Sequence, residues 1–185
     1  LKKLGKYMAM NSDYMVMQFA YSSTYTKLDV PARSLDKVVR HLDGLEEINF
    51  IGFSLGNLVI RHYLKDQQGH RSGPPIGRIV MIAPPNHGAQ FARKYADSSI
   101  ANWYGGPVVK QIGVNFESEL EPRLATPICE FGIIAGQKGT DRGYKPKSLT
   151  GDDDSVLTVK TTRLKGATDY RLLHAKHSKL YKHKD

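Results

Sequence analysis

The sequence of 185 residues contains one cysteine, Cys129, so an intramolecular disulfide is excluded. That is compatible with a reducing compartment, and the cytoplasm is favoured. The strand-like residues around Cys129 indicate a small buried side chain rather than a reactive thiol. The sequence also has no apolar run of the length that a membrane span requires.

Metal-binding spacings are absent from the sequence. The seven histidines include no H-E-x-x-H pair and no paired Cys/His spacing. The acidic run Asp152–Asp154 lacks the spacing of an EF-hand loop. We therefore expect neither a metal nor another cofactor.

Acidic side chains are in the minority: 18 Asp and Glu stand against 27 Lys and Arg, for a net charge of +9. Much of the excess lies at the two ends of the chain, in Lys2, Lys3, Lys6, Lys176, Lys179, Lys182 and Lys184. A solvated basic surface is the simplest interpretation, and a patch that makes peripheral contact with an anionic membrane is the alternative. Without a nucleic-acid-binding motif or aromatics among the basic residues, nucleic acid is not an expected partner, and no obligate protein partner is indicated.

The most informative pattern is G-x-S-x-G, in Gly52-Phe53-Ser54-Leu55-Gly56. It stands between the apolar run Ile48–Ile51, typical of a buried strand, and residues 57–64, whose apolar positions have helical spacing. Such a sharp turn holds a serine hydroxyl at its tip and aims the N–H of Leu55 at the position of a developing oxyanion. A side chain at either glycine is expected to collide with the turn.

Strands and helices alternate along the chain, which predicts an α/β domain with a mostly parallel sheet and helices on both faces. The patterns predict helices over residues 1–10, from Pro31 to Gly44, from Asn57 to about Lys65, over Gln90–Ala96 and at the C-terminus. They predict strands over Tyr14–Tyr21, Ile48–Ile51, Arg78–Ala83, Ile128–Ala135 and Tyr170–His174. One domain spans residues 1–185, and residues 86–127 are a possible cap or insertion because they exceed one crossover helix.

Ligands of parallel sheets bind at the carboxyl ends of the strands. Ser54, the loop Pro84–Gly88, the loop Gly151–Ser155 and His177 all follow predicted strands, so we expect them at one edge. A serine hydroxyl becomes a nucleophile when a histidine, oriented by a carboxylate, takes its proton. The sequence offers Asp153 or Asp154 for the carboxylate and His174 or His177 for the base, and His177 is favoured because it lies in the loop after the strand.

Together the motifs resemble the bacterial lipase and esterase branch of the alpha/beta-hydrolase superfamily. The resemblance covers nearly the whole chain in the family's order, through Tyr21–Thr24, Gly52–Gly56, Ala83–Gly88, Asp154–Val159, Arg163–Ala167 and His177–Leu180. It implies the alpha/beta-hydrolase fold and a serine hydrolase that cleaves carboxylic esters or lipids without a cofactor. A thioesterase or acyltransferase, and a non-catalytic binding protein on the same fold, remain alternatives.

The resemblance also implies roles for individual residues: Ser54 as nucleophile, Asp154 as carboxylate, His177 as base and the Leu55 N–H as oxyanion donor. His87 is expected to structure the Pro84–Gly88 turn rather than to react. We expect His41, His62, His70 and His183 at the surface. Within residues 86–127, the apolar side chains of Trp103, Tyr104, Pro107 and Val108 are candidates to line an acyl pocket.

Three features depart from the family pattern. Phe53 and Asn57 stand where relatives often have His and Gly, and neither position is expected to need a special proton donor. Relatives also have an earlier strand that ends in an H-G loop and supplies a second oxyanion N–H. That strand lies between those predicted here at Tyr14–Tyr21 and Ile48–Ile51. We therefore predict an N-terminally truncated piece of the domain with its first strands missing.

Overall fold

A computed structural model describes residues 2–22, 26–68, 73–95, 107–145 and 147–182. The helices are α1 (Lys2–Asn11), α2 (Asp29–Arg40), α3 (Gly56–Asp66), α4 (Gln90–Tyr95), α5 (residues 107–112) and α6 (Val159–Thr162), with a π-helix at Phe116–Leu120 and 3-10 helices at Glu121–Arg123 and His177–Lys182. The strands are β1 (Ile48–Phe53), β2 (Ile76–Ile82), β3 (Phe131–Gly136) and β4 (Asp169–Leu173). No helix in these ranges combines the length and apolarity needed to cross a bilayer.

The four strands form one parallel sheet in the order β1-β2-β3-β4. Phe53 pairs with Ile82, Ile82 with Ile134 and Gly136 with Leu173, so the carboxyl ends of the strands lie along one edge. The α/β arrangement expected from the alternating patterns is confirmed. Each strand end therefore delivers its following loop to the same region.

Alternate strand residues face opposite sides of the sheet and build two apolar cores. Ile79 and Met81 of β2 belong to the larger core, which the buried faces of α2 and α3 cover. Val80 and Ile82 face the smaller core, where Leu180 is buried and Leu4 of α1 packs. The predicted helices on both faces are thus present.

The predicted strand at Tyr14–Tyr21 is wrong. Residues 15–22 have no regular secondary structure, and the side chains of Met15 and Met17 are exposed. Strand propensity depends on a neighbouring strand and a face to bury, and no described strand pairs with this segment. In the described part of the chain, β1 has a partner strand on one side, β2. The truncation itself stays a prediction.

Other element boundaries shift by a few residues. β3 begins at Phe131 because Ile128 is almost wholly exposed and half-buried Cys129 precedes the strand. β4 ends at Leu173, so His174 lies outside it and is exposed, not in the core. The C-terminal helix, at His177–Lys182, is of the 3-10 type.

The described part of residues 86–127 packs into the larger core through Val108, Phe116, Leu120 and Leu124. Val108 is therefore a core residue rather than a pocket wall, whereas Pro107 is exposed. Trp103 and Tyr104 lie outside the described residues. The assignment of residues 86–127 to a cap stays a prediction.

Candidate active site

The turn between β1 and α3 holds Ser54 in a left-handed backbone conformation, with φ at 51°. A non-glycine residue pays about 1–3 kcal/mol for such a conformation, so neighbouring contacts must hold it. One is the hydrogen bond that the Ser54 N–H donates to the carbonyl of Ile82, at 2.8 Å. Leu55 follows at the start of α3, and among the described residues its N–H has no acceptor. This donor is available to a ligand beside Ser54.

Ser54, His177 and Asp154 form an unbroken hydrogen-bonded chain. The Ser54 Oγ lies 2.9 Å from His177 Nε2, and His177 Nδ1 lies 2.7 Å from Asp154 Oδ2. A carboxylate can only accept hydrogen bonds, so His177 Nδ1 must carry the hydrogen and donate it to Asp154. His177 Nε2 is then free to accept a hydrogen bond from the Ser54 hydroxyl. The Asp154 side chain is buried, and that of His177 is 12% exposed. This geometry suits proton transfer from serine to histidine.

The Asp154 carboxylate is fixed by its own loop. Its Oδ1 accepts hydrogen bonds from the N–H groups of Val156 at 2.9 Å and Leu157 at 2.7 Å. The backbone N–H of His177 donates to the Asp154 carbonyl at 2.7 Å. A Cβ at Gly136, the last residue of β3, would lie 2.7 Å from the Asp154 Cβ. Glycine at the end of β3 is what allows this loop to approach the sheet.

The competing residues lie elsewhere. Asp153 is buried and accepts hydrogen bonds from the N–H groups of Lys145 and Ser155, so its carboxylate braces a loop. His174 is exposed beside Gly139. The structure therefore brings Asp154 and His177 to Ser54, and it leaves Asp153 and His174 out of that chain. The catalytic roles stay predictions.

Asn57 has a part in the turn that sequence reasoning missed. Its side chain is fully buried, and Nδ2 donates to the carbonyls of Ser54 and Ile82, each at 3.0 Å. Its Oδ1 is buried with no hydrogen-bond partner among the described residues. The amide holds the turn through hydrogen bonds and donates no proton, so the expectation that position 57 needs no special proton donor stays a prediction. The signal was an amide in the otherwise apolar first turn of the helix.

The two glycines of the turn have different surroundings. A Cβ at Gly52 would lie 2.1 Å from Asn57 Oδ1, so the expected collision is confirmed there. A Cβ at Gly56 would meet only Tyr21 Oη, at an ordinary contact distance of 3.7 Å. The expected collision at Gly56 is therefore wrong. Burial raises the pKa of Tyr21 to about 12, so this neighbour is a neutral phenol.

Phe53, at the variable position before the serine, supports the histidine. Its ring centroid lies 5.1 Å from the ring of His177 and 5.0 Å from that of Tyr181, in an edge-to-face contact with the latter. Aromatic contacts of this kind restrict the orientations open to a ring. An apolar residue at this position thus holds one face of the imidazole without donating a proton.

A buried arginine organises the loop after β2. Arg61 of α3 donates from Nε to the Ala125 carbonyl at 2.8 Å and from Nη1 to Asn86 Oδ1 at 3.1 Å. Asn86 in turn donates to the Thr162 carbonyl at 2.9 Å. Burial lowers the pKa of Arg61 to about 10, so it stays charged at neutral pH. Asn86 gives the loop its side-chain hydrogen bonds, whereas His87 is half-exposed with Nδ1 4.0 Å from Glu121 Oε1, and its expected part in the turn stays a prediction.

The remaining histidines take no part in this chain. His62 is buried, with Nδ1 3.2 Å from Asp66 Oδ2, so its prediction as a surface residue is wrong. His41 is exposed as expected, and His70 and His183 lie outside the described residues. Across the described ranges, no three His, Cys, Asp or Glu side chains are grouped so that they could hold a metal ion.

A family model described as alpha/beta hydrolase of unknown function (DUF915) matches residues 3–123, more than half of the chain. A comparison with proteins of curated function gave no match. The family match covers β1, the Ser54 turn and β2, but ends before Asp154 and His177.

Solved structures with the same fold include three named as lipases or esterases. The Bacillus licheniformis lipase BlEst2 in mature form superposes with a TM-score of 0.59 at 17% identity, over 82% of this chain and 66% of its own. Phospholipase PlaB from Legionella pneumophila superposes with a TM-score of 0.63 at 19% sequence identity, over 87% of this chain and 42% of its own. The metagenomic carboxyl esterase MGS0156 superposes with a TM-score of 0.60 at 14% sequence identity, over 88% of this chain and 54% of its own.

The present chain thus spans less than two thirds of the length of these structures. At such low identities their likeness establishes the fold, and the family match establishes the lineage. The chain resembles lipases and esterases in fold and belongs to the alpha/beta hydrolase family of unknown function, DUF915.

Proposed function

We propose that this chain is a serine hydrolase that cleaves carboxylic esters, of the esterase or lipase type. The observation that carries the proposal is the continuous hydrogen-bonded chain from Ser54 Oγ through His177 to Asp154, at 2.9 and 2.7 Å. The structural neighbours include proteins named as a lipase, a phospholipase and a carboxyl esterase, which supports an ester or lipid substrate.

In the acylation step, His177 Nε2 takes the hydroxyl proton while Ser54 Oγ forms a bond to the ester carbonyl carbon. The carbonyl oxygen becomes an oxyanion and accepts a hydrogen bond from the Leu55 N–H. The carbon–oxygen bond to the alcohol breaks, and His177 returns its proton to the departing alcohol. The acyl group is left as an ester on Ser54.

Deacylation repeats these steps with water. His177 Nε2 takes a proton from water as its oxygen attacks the acyl carbon, and the proton then returns to Ser54 Oγ as the acid leaves. Asp154 stays ionised and stabilises the imidazolium that forms at each step. No cofactor enters this sequence.

Fluorophosphonate labelling of the purified chain tests the proposal, because the reagent bonds to a serine only when a base activates it. We expect one phosphonylated serine, identified by peptide mass spectrometry as Ser54, and no label in Ser54→Ala. Ser34→Ala, which changes an exposed serine on α2, is the matched control and should label normally.

Hydrolysis assays then define the bond that is cleaved. An oxygen ester, a thioester and an amide of the same short acyl chain are compared, and we expect the oxygen ester to be turned over fastest. Label at another serine, or labelling of Ser54 without turnover of any of the three, contradicts the proposal.

A further inference from the structure

The two basic ends of the chain meet on one surface. Helix α1 contacts the 3-10 helix His177–Lys182, and Leu4 of α1 packs against the core that contains Leu180. We call the exposed lysines of these two segments, together with Lys176 directly before the second, the lysine surface; it consists of Lys2, Lys3, Lys6, Lys176, Lys179 and Lys182. Lysines more than 160 positions apart in the sequence, such as Lys6 and Lys179, thus lie on two segments that are in contact.

The charge of the lysine surface is not neutralised within the described residues. No Asp or Glu there lies within ion-pair distance of any of the six ammonium groups, whereas Lys27 pairs with Glu119 at 3.8 Å. Lys176 and Lys182 instead lie over the rings of Tyr144 and Tyr181, at 5.4 and 5.0 Å. An anionic partner would supply the missing counter-charge.

Apolar side chains lie among these lysines. Lys3, Lys6, Tyr7 and Met10 follow the spacing of one helical face, and the last two are 62% and 72% exposed. The opposite face, with Leu4, is turned toward the protein. A helix with lysines and exposed aromatic or apolar side chains on one face suits a bilayer interface, which accepts both kinds of group. A nucleic acid or an acidic protein would match the charge alone.

The lysine surface adjoins the candidate active site. His177 is the first residue of the same 3-10 helix that carries Lys179 and Lys182, and Tyr181 of that helix contacts Phe53, the residue before Ser54. We propose that the lysine surface docks on an anionic lipid bilayer and holds the Ser54 site beside it. The biological purpose of this docking, to bring lipid to Ser54, rests on the proposed function. The binding of the lysine surface to a bilayer does not depend on ester cleavage.

Vesicle sedimentation tests the inference, using Ser54→Ala so that no lipid is consumed. We expect the protein to sediment with vesicles of phosphatidylcholine containing phosphatidylglycerol, to release at high salt, and to ignore pure phosphatidylcholine. Lys3→Glu/Lys6→Glu/Lys179→Glu should lower the partition coefficient by more than about 100-fold, because the loss of each lysine near an anionic surface costs about a factor of five and each new glutamate adds repulsion.

The matched control is Lys37→Glu/Lys65→Glu/Lys165→Glu, which makes the same change in net charge at exposed lysines elsewhere. It should bind nearly as well as the parent. A second variant, Tyr7→Ser/Met10→Ser, keeps every charge and should weaken vesicle binding without altering retention on heparin. Both side chains are exposed, so the fold is expected to persist, which circular dichroism checks.

Three outcomes would overturn docking: no binding to the anionic vesicles, equal loss in both lysine variants, or no effect of Tyr7→Ser/Met10→Ser. The last would indicate adsorption to any polyanion. Because binding is measured without Ser54, a failure of ester cleavage leaves the vesicle result intact, and a failure of docking leaves the labelling result intact.

Discussion

The side-chain amide of Asn57 donates a hydrogen bond to the backbone carbonyl of Ser54, at 3.0 Å. A second hydrogen of the same amide reaches the carbonyl of Ile82, at the end of the neighbouring strand. Asn57 therefore ties the turn that carries Ser54 to β2. We regard it as a positioning residue, since it acts through Ser54.

Asn57→Ala removes both of these bonds from a fully buried position. Each carbonyl keeps one backbone donor, so we expect the free energy of unfolding to fall by about 1–3 kcal/mol rather than more. We also expect kcat to fall with little change in KM, because the serine oxygen is displaced while the substrate site is retained. Asn11→Ala, at an exposed asparagine, is the matched control for stability. A change in KM alone would contradict the positioning role.

The two glycines of the turn should respond differently to alanine. Gly52→Ala places a methyl group 2.1 Å from Asn57 Oδ1, so we expect loss of soluble protein or a fall in Tm with loss of labelling. Gly56→Ala meets only an ordinary contact with Tyr21 Oη, and the helix gains a better helix former. Thermal unfolding and fluorophosphonate labelling of the two variants measure the contrast. Equal damage from both would show that the turn itself excludes side chains.

Asp154→Asn and Asp153→Asn separate the chemistry from the scaffold. The first replaces the acceptor of His177 Nδ1 and favours the wrong tautomer, so we expect kcat to fall about 10⁴-fold with a small change in stability. The second weakens the acceptor for the N–H groups of Lys145 and Ser155, so we expect it to lower stability more than kcat. Measurements of ester turnover and of denaturant unfolding on both variants distinguish an effect on kcat from an effect on stability. The reverse order of effects on kcat would reassign the carboxylate.

Removing the buried guanidinium of Arg61 should loosen the loop after β2. Arg61→Ala leaves the Ala125 carbonyl and the Asn86 amide oxygen without this donor, and we expect a cost of about 2–4 kcal/mol in unfolding free energy. Arg33→Ala removes an exposed arginine paired with Asp29, where we expect less than about 1 kcal/mol. Urea unfolding compares the two, and similar losses would deny Arg61 its structural role.

Local pattern was enough to predict some elements and not others. The apolar runs at β1 and β2 are typical of strands, so the sequence predicts both strands and the turn at Ser54, although Ile51 of β1 is 39% exposed. The segment Tyr14–Tyr21 has the same appearance but no strand beside it in the described residues. A strand is stabilised by its partner, which a local pattern does not contain.

The same limit applies within the site. The order Ser54, Asp154, His177 was predictable because the motifs occur in family order. The bonds of Asn57 to Ile82 and of Arg61 to Asn86 join residues 25 positions apart. These bonds form only when α3 packs beside the ends of the strands. A single sequence therefore shows that polar residues are present there but does not show which residues they contact.

The carbonyl of Ile82 accepts both the Ser54 N–H and the Asn57 amide. The same residue pairs with Phe53 in the sheet. These bonds to Ile82 can hold the strained turn only while β2 is aligned against β1, so we expect Ser54 to be unreactive in a chain with these strands unpaired. The rate at which Ser54 becomes labelled during refolding would then measure the pairing of β1 with β2, and not the earlier collapse of the chain.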